Sequence, residues 1–419
     1  MQTKKIFLYS ALLCGLTSSA YAAPALPAKT MHGNNETVQA CKEYGAGYFF
    51  IPGTTTCFKI SGSIKATLMP GADISAKAQK KAGTQNRDIS WSTQGKFGLE
   101  TMSSTKYGTL HTYMEFRNTW KTGSLYADQA FNQGSNTELH YSYVELGGLR
   151  FGLDETIFSH WTGYFGSVIN DDLLNPNSGK RTTVLSYVYS GNNGFSAILG
   201  AEQGTYQAAS SLASYEIDGD KIYKRENSFE DSSTHILPNL VGGVKYMQGW
   251  GGISFVTGYD STYKQAAAKV RADFNLNSSL NLWAMGAVKT GRDYYKTVRS
   301  IHAIPSDREE ILETTRVQRV VPSLYGDWEG FWEVLGGGAY KVLPEMQLNA
   351  QVGLDGNANF STAFSVDYKL LPNLTITPEI AYLHYNGLNL ETKDKSISVL
   401  SETGKFDAAQ ITVQLKYSF

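Results

Sequence analysis

The sequence predicts an all-β protein, a transmembrane antiparallel β-barrel of about sixteen strands. Three observations carry this. Apolar and polar residues alternate with period two in segments of about ten residues, tight turns alternate with long polar connections, and an export signal precedes both.

The export signal occupies residues 1–22. Lys4 and Lys5 form its charged start, Ile6 to Leu16 its apolar stretch, and Ala20-Tyr21-Ala22 a small-x-small cleavage site that leaves Ala23 first. Cys14 follows Leu13, where a lipid-attachment site needs a small residue. Cleavage takes the formal net charge from −1 to −3. No later stretch reaches the roughly 18 apolar residues of a membrane-spanning helix. The 37 basic and 38 acidic residues leave no excess to hold a nucleic acid. Gly (41) and Tyr (26) are abundant and Pro (11) scarce, which suits strands and the turns between them.

After cleavage two cysteines remain, Cys41 and Cys57. An exported chain meets an oxidising compartment, so the pair is expected to form a disulfide, worth about 3 kcal/mol by loop entropy. The chain thus divides into signal peptide 1–22, a periplasmic N-terminal segment 23–57 and a barrel 58–419.

Alternation is clearest at 58–68, where Phe58, Ile60, Gly62, Ile64, Ala66 and Leu68 oppose Lys59, Ser61, Ser63, Lys65 and Thr67. Soluble strands usually stop at about five or six residues, whereas a tilted membrane strand needs about 9–11. Strands are predicted at 58–69, 89–101, 107–118, 137–147, 149–155, 182–190, 194–203, 239–247, 251–259, 266–275, 279–289, 329–341, 345–354, 359–369, 373–386 and 408–419. Tight turns include Gly147-Gly148, Gln248-Gly249-Trp250 and Leu371-Pro372-Asn373; long connections fall at 70–88, 119–136, 156–181, 204–238, 290–328 and 387–407. Aromatic residues near strand ends predict interfacial girdles: Tyr246, Trp250, Tyr259, Trp328, Trp332, Tyr340, Tyr368, Tyr382, Tyr417 and Phe419. In 290–328, Ser306-Asp307-Arg308-Glu309 reads as a capping box opening a short helix through Ile311-Leu312 to Val317.

Two regions resemble the porin family of alphaproteobacteria. One is Cys41-Lys42-Glu43-Tyr44-Gly45-Ala46-Gly47-Tyr48-Phe49-Phe50-Ile51-Pro52-Gly53-Thr54-Thr55-Thr56-Cys57, running into Phe58-Lys59-Ile60-Ser61-Gly62. The other is Tyr143-Val144-Glu145-Leu146-Gly147-Gly148-Leu149-Arg150-Phe151-Gly152. The resemblance implies an outer-membrane homotrimer with a third external loop, here 156–181, folded into the lumen. It implies passive diffusion of small hydrophilic solutes and ions through a water-filled channel. Constriction candidates are Glu155, Asp171, Asp172 and Arg181 on that loop, facing Lys65, Lys96, Arg117 and Arg150 on the wall. Where the family often carries a basic residue just after the glycine, Gly152 here is followed by Leu153 and Asp154. The terminal Tyr417 and Phe419 resemble the signal read by the barrel-assembly machinery.

No cofactor, metal or enzymatic activity is predicted. His111, His140, His160 and His235 lack metal-ligand spacing, and there is no G-x-S-x-G elbow or Walker loop. The competing readings are an adhesin or receptor acting through the long loops, and a hydrolase barrel built on Ser159-His160 and Asp171. Steady conductance steps in a planar bilayer separate a porin from both.

Overall fold

Alternating side chains give each strand one apolar and one polar face, and the chain turns the apolar face outward. The computed structural model describes residues 39–70, 74, 89–122, 133–164, 166–174, 180–203, 212–218, 221–227, 237–291, 294–303, 311–320, 323–386, 400–401 and 406–419. The export segment 1–22, His235 and the capping-box residues 306–309 lie outside them.

The wall contains sixteen strands: β1 (Cys57–Pro70), β2 (Ile89–Thr105), β3 (Gly108–Thr122), β4 (Gln133–Leu146), β5 (Leu149–Glu155), β6 (Arg181–Ser190), β7 (Phe195–Gln203), β8 (Asn239–Gln248), β9 (Gly251–Asp260), β10 (Gln265–Asn275), β11 (Leu280–Lys289), β12 (Trp332–Leu343), β13 (Met346–Asp355), β14 (Phe360–Leu371), β15 (Leu374–Tyr385) and β16 (Phe406–Ser418). Each pairs antiparallel with its neighbours in chain order, and β1 also pairs with β16, from Ser63–Ser418 to Leu68–Val413, which closes the ring. The short strand Phe49–Phe50 joins the same sheet by pairing with β1. All sixteen predicted segments are therefore strands of one closed barrel. Their ends shift by up to four residues: β2 ends at Thr105 rather than 101, β3 at Thr122 rather than 118, and β4 begins at Gln133 rather than 137.

The burial pattern is that of a globular protein turned inside out. Leu199 is 70 % and Phe151 60 % exposed on the outer face, while Glu333 and Ser365 are fully buried on the inner one. In β9, Ile253, Phe255 and Tyr259 point out and Ser254, Val256 and Asp260 point in. Such an apolar exterior is stable only where hydrocarbon covers it. No helix among the described residues is long and apolar enough to cross a membrane. The predicted girdle residues Tyr246, Trp250, Tyr259, Trp332, Tyr340, Tyr368, Tyr417 and Phe419 are exposed on the exterior, and Tyr382 is half-buried.

Two expectations are corrected. Trp328 is fully buried and belongs to no girdle, because it sits on a chain segment that enters the lumen before β12 begins. Residues 311–317 are not helical; Ile311–Val320 is a strand paired with Tyr294–Ala303. β-branched residues favour strands in general, and the neighbouring strand supplies the ladder that a solvated helix lacks. These two strands form a second, five-stranded sheet with Leu212–Asp218, Lys221–Asn227 and the parallel Leu400–Ser401, all drawn from the long connections.

Cys41 and Cys57 are joined in a disulfide with Cα atoms 5.9 Å apart, buried with Tyr48 beside Tyr44, Phe50 and Met102. The bridge ties the N-terminal segment to the first residue of β1. Mass mapping under non-reducing conditions should therefore recover one linked peptide, and Cys41→Ser with Cys57→Ser should still give heat-modifiable folded barrel, because the β1–β2 and β1–β16 ladders do not pass through the sulfurs. Two alkylatable thiols in the native protein would contradict the first expectation.

Phe419 finishes the ladder from outside it. Its N–H and C=O exchange hydrogen bonds with Gly62, each 3.0 Å. A Cβ on Gly62 would stand 2.6 Å from the Phe419 ring and 2.7 Å from the Lys96 carbonyl, so this approach requires glycine. Deleting Phe419 should lower the yield of folded barrel on gels run without heating, and Gly62→Val should do the same through the opposite partner. Unchanged yield from both would contradict this account.

Candidate functional site

A closed barrel with a polar interior is a channel unless something fills it, so the site is decided by what the loops put inside. Loop 156–181 leaves β5 and turns inward. Thr156 caps a four-residue helix, α1 (Ile157–His160), its Oγ1 accepting from the Phe158 N–H at 3.3 Å. The same hydroxyl donates to Glu202 on β7 at 2.9 Å, and the Ile157 N–H donates to the other Glu202 oxygen at 2.5 Å. Past the helix, Lys245 on β8 lies over the Trp161 ring at 4.1 Å, and Arg271 on β10 donates to the Tyr164 carbonyl.

The loop then reaches the opposite wall. The Ile169 and Asn170 N–H groups donate to the Glu379 carboxylate on β15, Asn170 at 2.8 Å, and Gln351 on β13 donates to the Asp171 carbonyl at 2.8 Å. Val168 and Leu174 pack with Ile74, Ala363, Ala381, Leu383 and Ala408. Loop 156–181 is thus folded into the lumen, as the resemblance implies. Its backbone groups are satisfied by inward-facing carboxylates and amides, which a loop removed from bulk water requires.

The eight constriction candidates separate into three groups. Asp171 lies within electrostatic reach of Asp172, Glu379 and Lys65. Lys65 in turn lies within reach of Arg117, Lys416 and Lys96. Lys65 and Lys416 are direct cross-strand partners on β1 and β16, and Lys96 and Arg117 are direct partners on β2 and β3. Glu115 accompanies this strip, 2.9 Å from Lys96 and 3.9 Å from Arg117. Arg181 pairs with Glu155 at 3.7 Å and hydrogen-bonds His140. Glu155 is buried, accepting from Tyr164 at 2.6 Å and Tyr141 at 3.3 Å. Arg150 stands apart, near the tight-turn end of β5, bound by Glu145 at 2.7 Å and Asp154 at 2.6 Å and stacked on Tyr143 at 4.2 Å. The Asp154 that departs from the family pattern therefore neutralises Arg150.

Burial, then the neighbouring Asp172, pushes the Asp171 carboxyl up to about 7. Ser159 is fully buried, and burial pulls His160 down to about 4. His160 feels the charges of Asp154, Arg150, Lys245 and Lys269 and lies on the helix held by Glu202 on β7, while Asp171 is held across the lumen by Gln351 on β13. The Ser159, His160 and Asp171 of the hydrolase reading are therefore not assembled into one set.

Sequence reasoning missed a second inserted segment. Residues 323–329, before β12, are buried and meet α1: Phe158 lies 5.3 Å from the Tyr325 ring and 6.5 Å from Trp328, stacked on the latter. Tyr325 donates to Glu202 at 2.8 Å, the carboxylate that also holds the start of α1. Lys180, at the loop's end, pairs with Asp327 at 3.0 Å. The apolar residues Leu324, Tyr325 and Trp328, close together inside a long polar connection, are the available signal.

Comparison with known proteins agrees with this architecture. Residues 33–410 match the model of the porin subfamily. Porin Omp2b of Brucella canis is 33 % identical over 393 residues, covering 92 % of this chain and 94 % of that protein, and Porin Omp2b of Brucella abortus (strain 2308) matches equally. The outer membrane channel DcaP of Acinetobacter baumannii shares the fold, with a TM-score of 0.55 at 15 % identity over 88 % of this chain and 99 % of that one. A family match over nearly the whole barrel, joined to a closed sixteen-stranded wall with an inserted loop, places this chain in the porin family of outer-membrane channels.

Proposed function

We propose that small hydrophilic solutes and ions diffuse passively along the side of the lumen bounded by β1–β3 and β16, and that the path is narrowest where Asp171 and Asp172 face Lys65, Lys96, Arg117 and Lys416. The observation that carries this reading is the position of Asp171: loop backbone held by Glu379 and Gln351 on one wall, side chain within reach of Lys65 on the next. A carboxylate and a basic strip across a narrow aqueous gap set a transverse field. Two unit charges 4 Å apart interact by about 4 kcal/mol at an effective dielectric of 20, against about 1 kcal/mol in bulk water, so charge at the narrowest level biases which ion enters. Arg181 with Glu155 forms a compensated pair, and Arg150 is held between the two carboxylates of Glu145 and Asp154, so neither arginine adds free positive charge to the lumen beside that path. The proposal includes a homotrimer, the assembly that the family resemblance implies, and insertion by an assembly machinery that reads Tyr417 and Phe419.

Replacing Asp171 and Asp172 with Asn should shift the reversal potential in a salt gradient toward anions while leaving the folded protein intact. The same charge change at Glu309, which the sequence puts in the distal connection 290–328, should shift it little, since a charge further from the constriction than a Debye length of about 8 Å is screened. Equal shifts from both, or none from the Asp pair, would place the constriction elsewhere.

The raised Asp171 carboxyl adds a pH dependence. Above about 7 it is ionised and favours cations; as the pH falls through about 7 it takes up a proton and that preference declines. Reversal potentials measured from pH 8 to pH 6 should therefore move toward anions, and Asp171→Asn should flatten that change. A pH response of the same size in Asp171→Asn would assign it to another group.

A further inference from the structure

The inserted segment ahead of β12 is built as a strut for loop 156–181. Its contacts converge on that loop from three directions. Aromatic packing joins Tyr325 and Trp328 to Phe158. The Glu202 carboxylate accepts from Thr156, Ile157 and Tyr325 together, so one buried group fixes both insertions to β7. Lys180, one residue before β6, donates to the Ser323 carbonyl and pairs with Asp327, so the far end of the loop is held as well as its start.

The wall is shaped to receive these parts. A Cβ on Gly200 would stand 2.3 Å from Ile157, one on Gly243 2.4 Å from Trp161, and one on Gly258 2.9 Å from Tyr325. On the wall side, Lys289 donates to the Gly326 carbonyl at 3.1 Å and the Trp328 carbonyl at 2.5 Å, and Lys269 lies over the Phe158 ring at 4.6 Å. Ile157, Phe158, Trp161, Leu324, Tyr325 and Trp328 form a single buried cluster with wall residues of β6 to β11. This is a protein core built inside a channel.

We propose that Ser323–Phe331 is a second pore-defining element: it closes the β7–β11 side of the lumen and positions loop 156–181, so that Tyr325, Asp327 and Trp328 set the width of the channel without lining its narrowest point. They are positioning residues. The proposal rests on the reading of 156–181 as the loop that narrows the pore.

The test uses the full mature protein reconstituted in planar bilayers, with unit conductance and the size cut-off for neutral polymers as readouts. Trp328→Ala removes the aromatic wedge, and Lys180→Met breaks the tie to Asp327 and Ser323 while keeping the side chain's bulk. Both should raise unit conductance and admit larger polymers, and Trp328→Phe should retain wild-type values. Heat-modifiable mobility reports folding; if Trp328→Ala does not fold, Lys180→Met decides. Wild-type conductance and cut-off in folded Lys180→Met, and in Trp328→Ala where that folds, would overturn the proposal. Should the Asp171 and Asp172 replacements still shift the reversal potential in that case, the strut fails and the pore reading stands; should they also be silent, both fail.

Discussion

Every backbone N–H and C=O that meets the bilayer core has to find its partner in a neighbouring strand, and this barrel depends on closing that ladder between β1 and β16. An unpaired group in hydrocarbon costs several kcal/mol, so an open edge even a few residues long would outweigh the whole stability of an ordinary domain. Closure here is made by Ser63–Leu68 against Ser418–Val413, then extended by the two bonds between Gly62 and Phe419. Phe419 thus meets Gly62, the residue just before the first of the β1–β16 pairs. The requirement explains why the outer face can be so apolar and the inner face so polar: with the backbone satisfied in the wall, side chains alone answer to lipid on one side and water on the other.

The same accounting governs the interior. A loop that leaves the external solvent and crosses a lumen carries its peptide groups with it, and each must be met again. Inward-facing Glu202, Glu379, Gln351 and Arg271 meet those of loop 156–181, and Lys289 meets those of the second insertion. Buried carboxylates and cations on a barrel wall are therefore not all pore charges. Glu202 and Glu379 are anchors that accept from main chain, whereas Lys65 and Lys416 bind no inserted backbone among the described residues.

This division sets how much could be read from the sequence. Membrane strands are legible because lipid and lumen together impose period two along most of their length. Ile253, Phe255 and Tyr259 against Ser254 and Asp260 show the rule at work. Loops obey no such rule. Residues up to Val317 read as a helix because a capping box stands ahead of them, while the partner strand Tyr294–Ala303 that makes Ile311–Val320 a strand lies several residues upstream. Trp328 reads as a girdle residue because an aromatic near a predicted strand end has the same local sequence whether it faces lipid or folds inward. Among the charges, residue type could not tell compensated from uncompensated. Arg150 and Lys65 look alike in alternation, yet one is bound by two carboxylates and the other stands opposite a second lysine.

That lysine pair lies on the closing seam itself. Like charges directly opposite on neighbouring strands are destabilising by up to about 1 kcal/mol, and Lys65 faces Lys416 across the last pair of strands to join. A seam selected for stability alone would carry opposite or neutral partners there, as Thr375 does opposite Lys416 on the other side. Asp171, brought across by loop 156–181, offsets the repulsion by supplying an opposing charge from inside rather than from the wall. Loop and seam are then coupled: the carboxylate that relieves the lysines is itself pushed toward neutrality by burial and by Asp172, so neither side of the gap is fully compensated. On the proposed reading of this gap as the constriction, incomplete neutralisation is what a channel needs there, since a site that paired its charges completely would leave a passing ion nothing to exchange with.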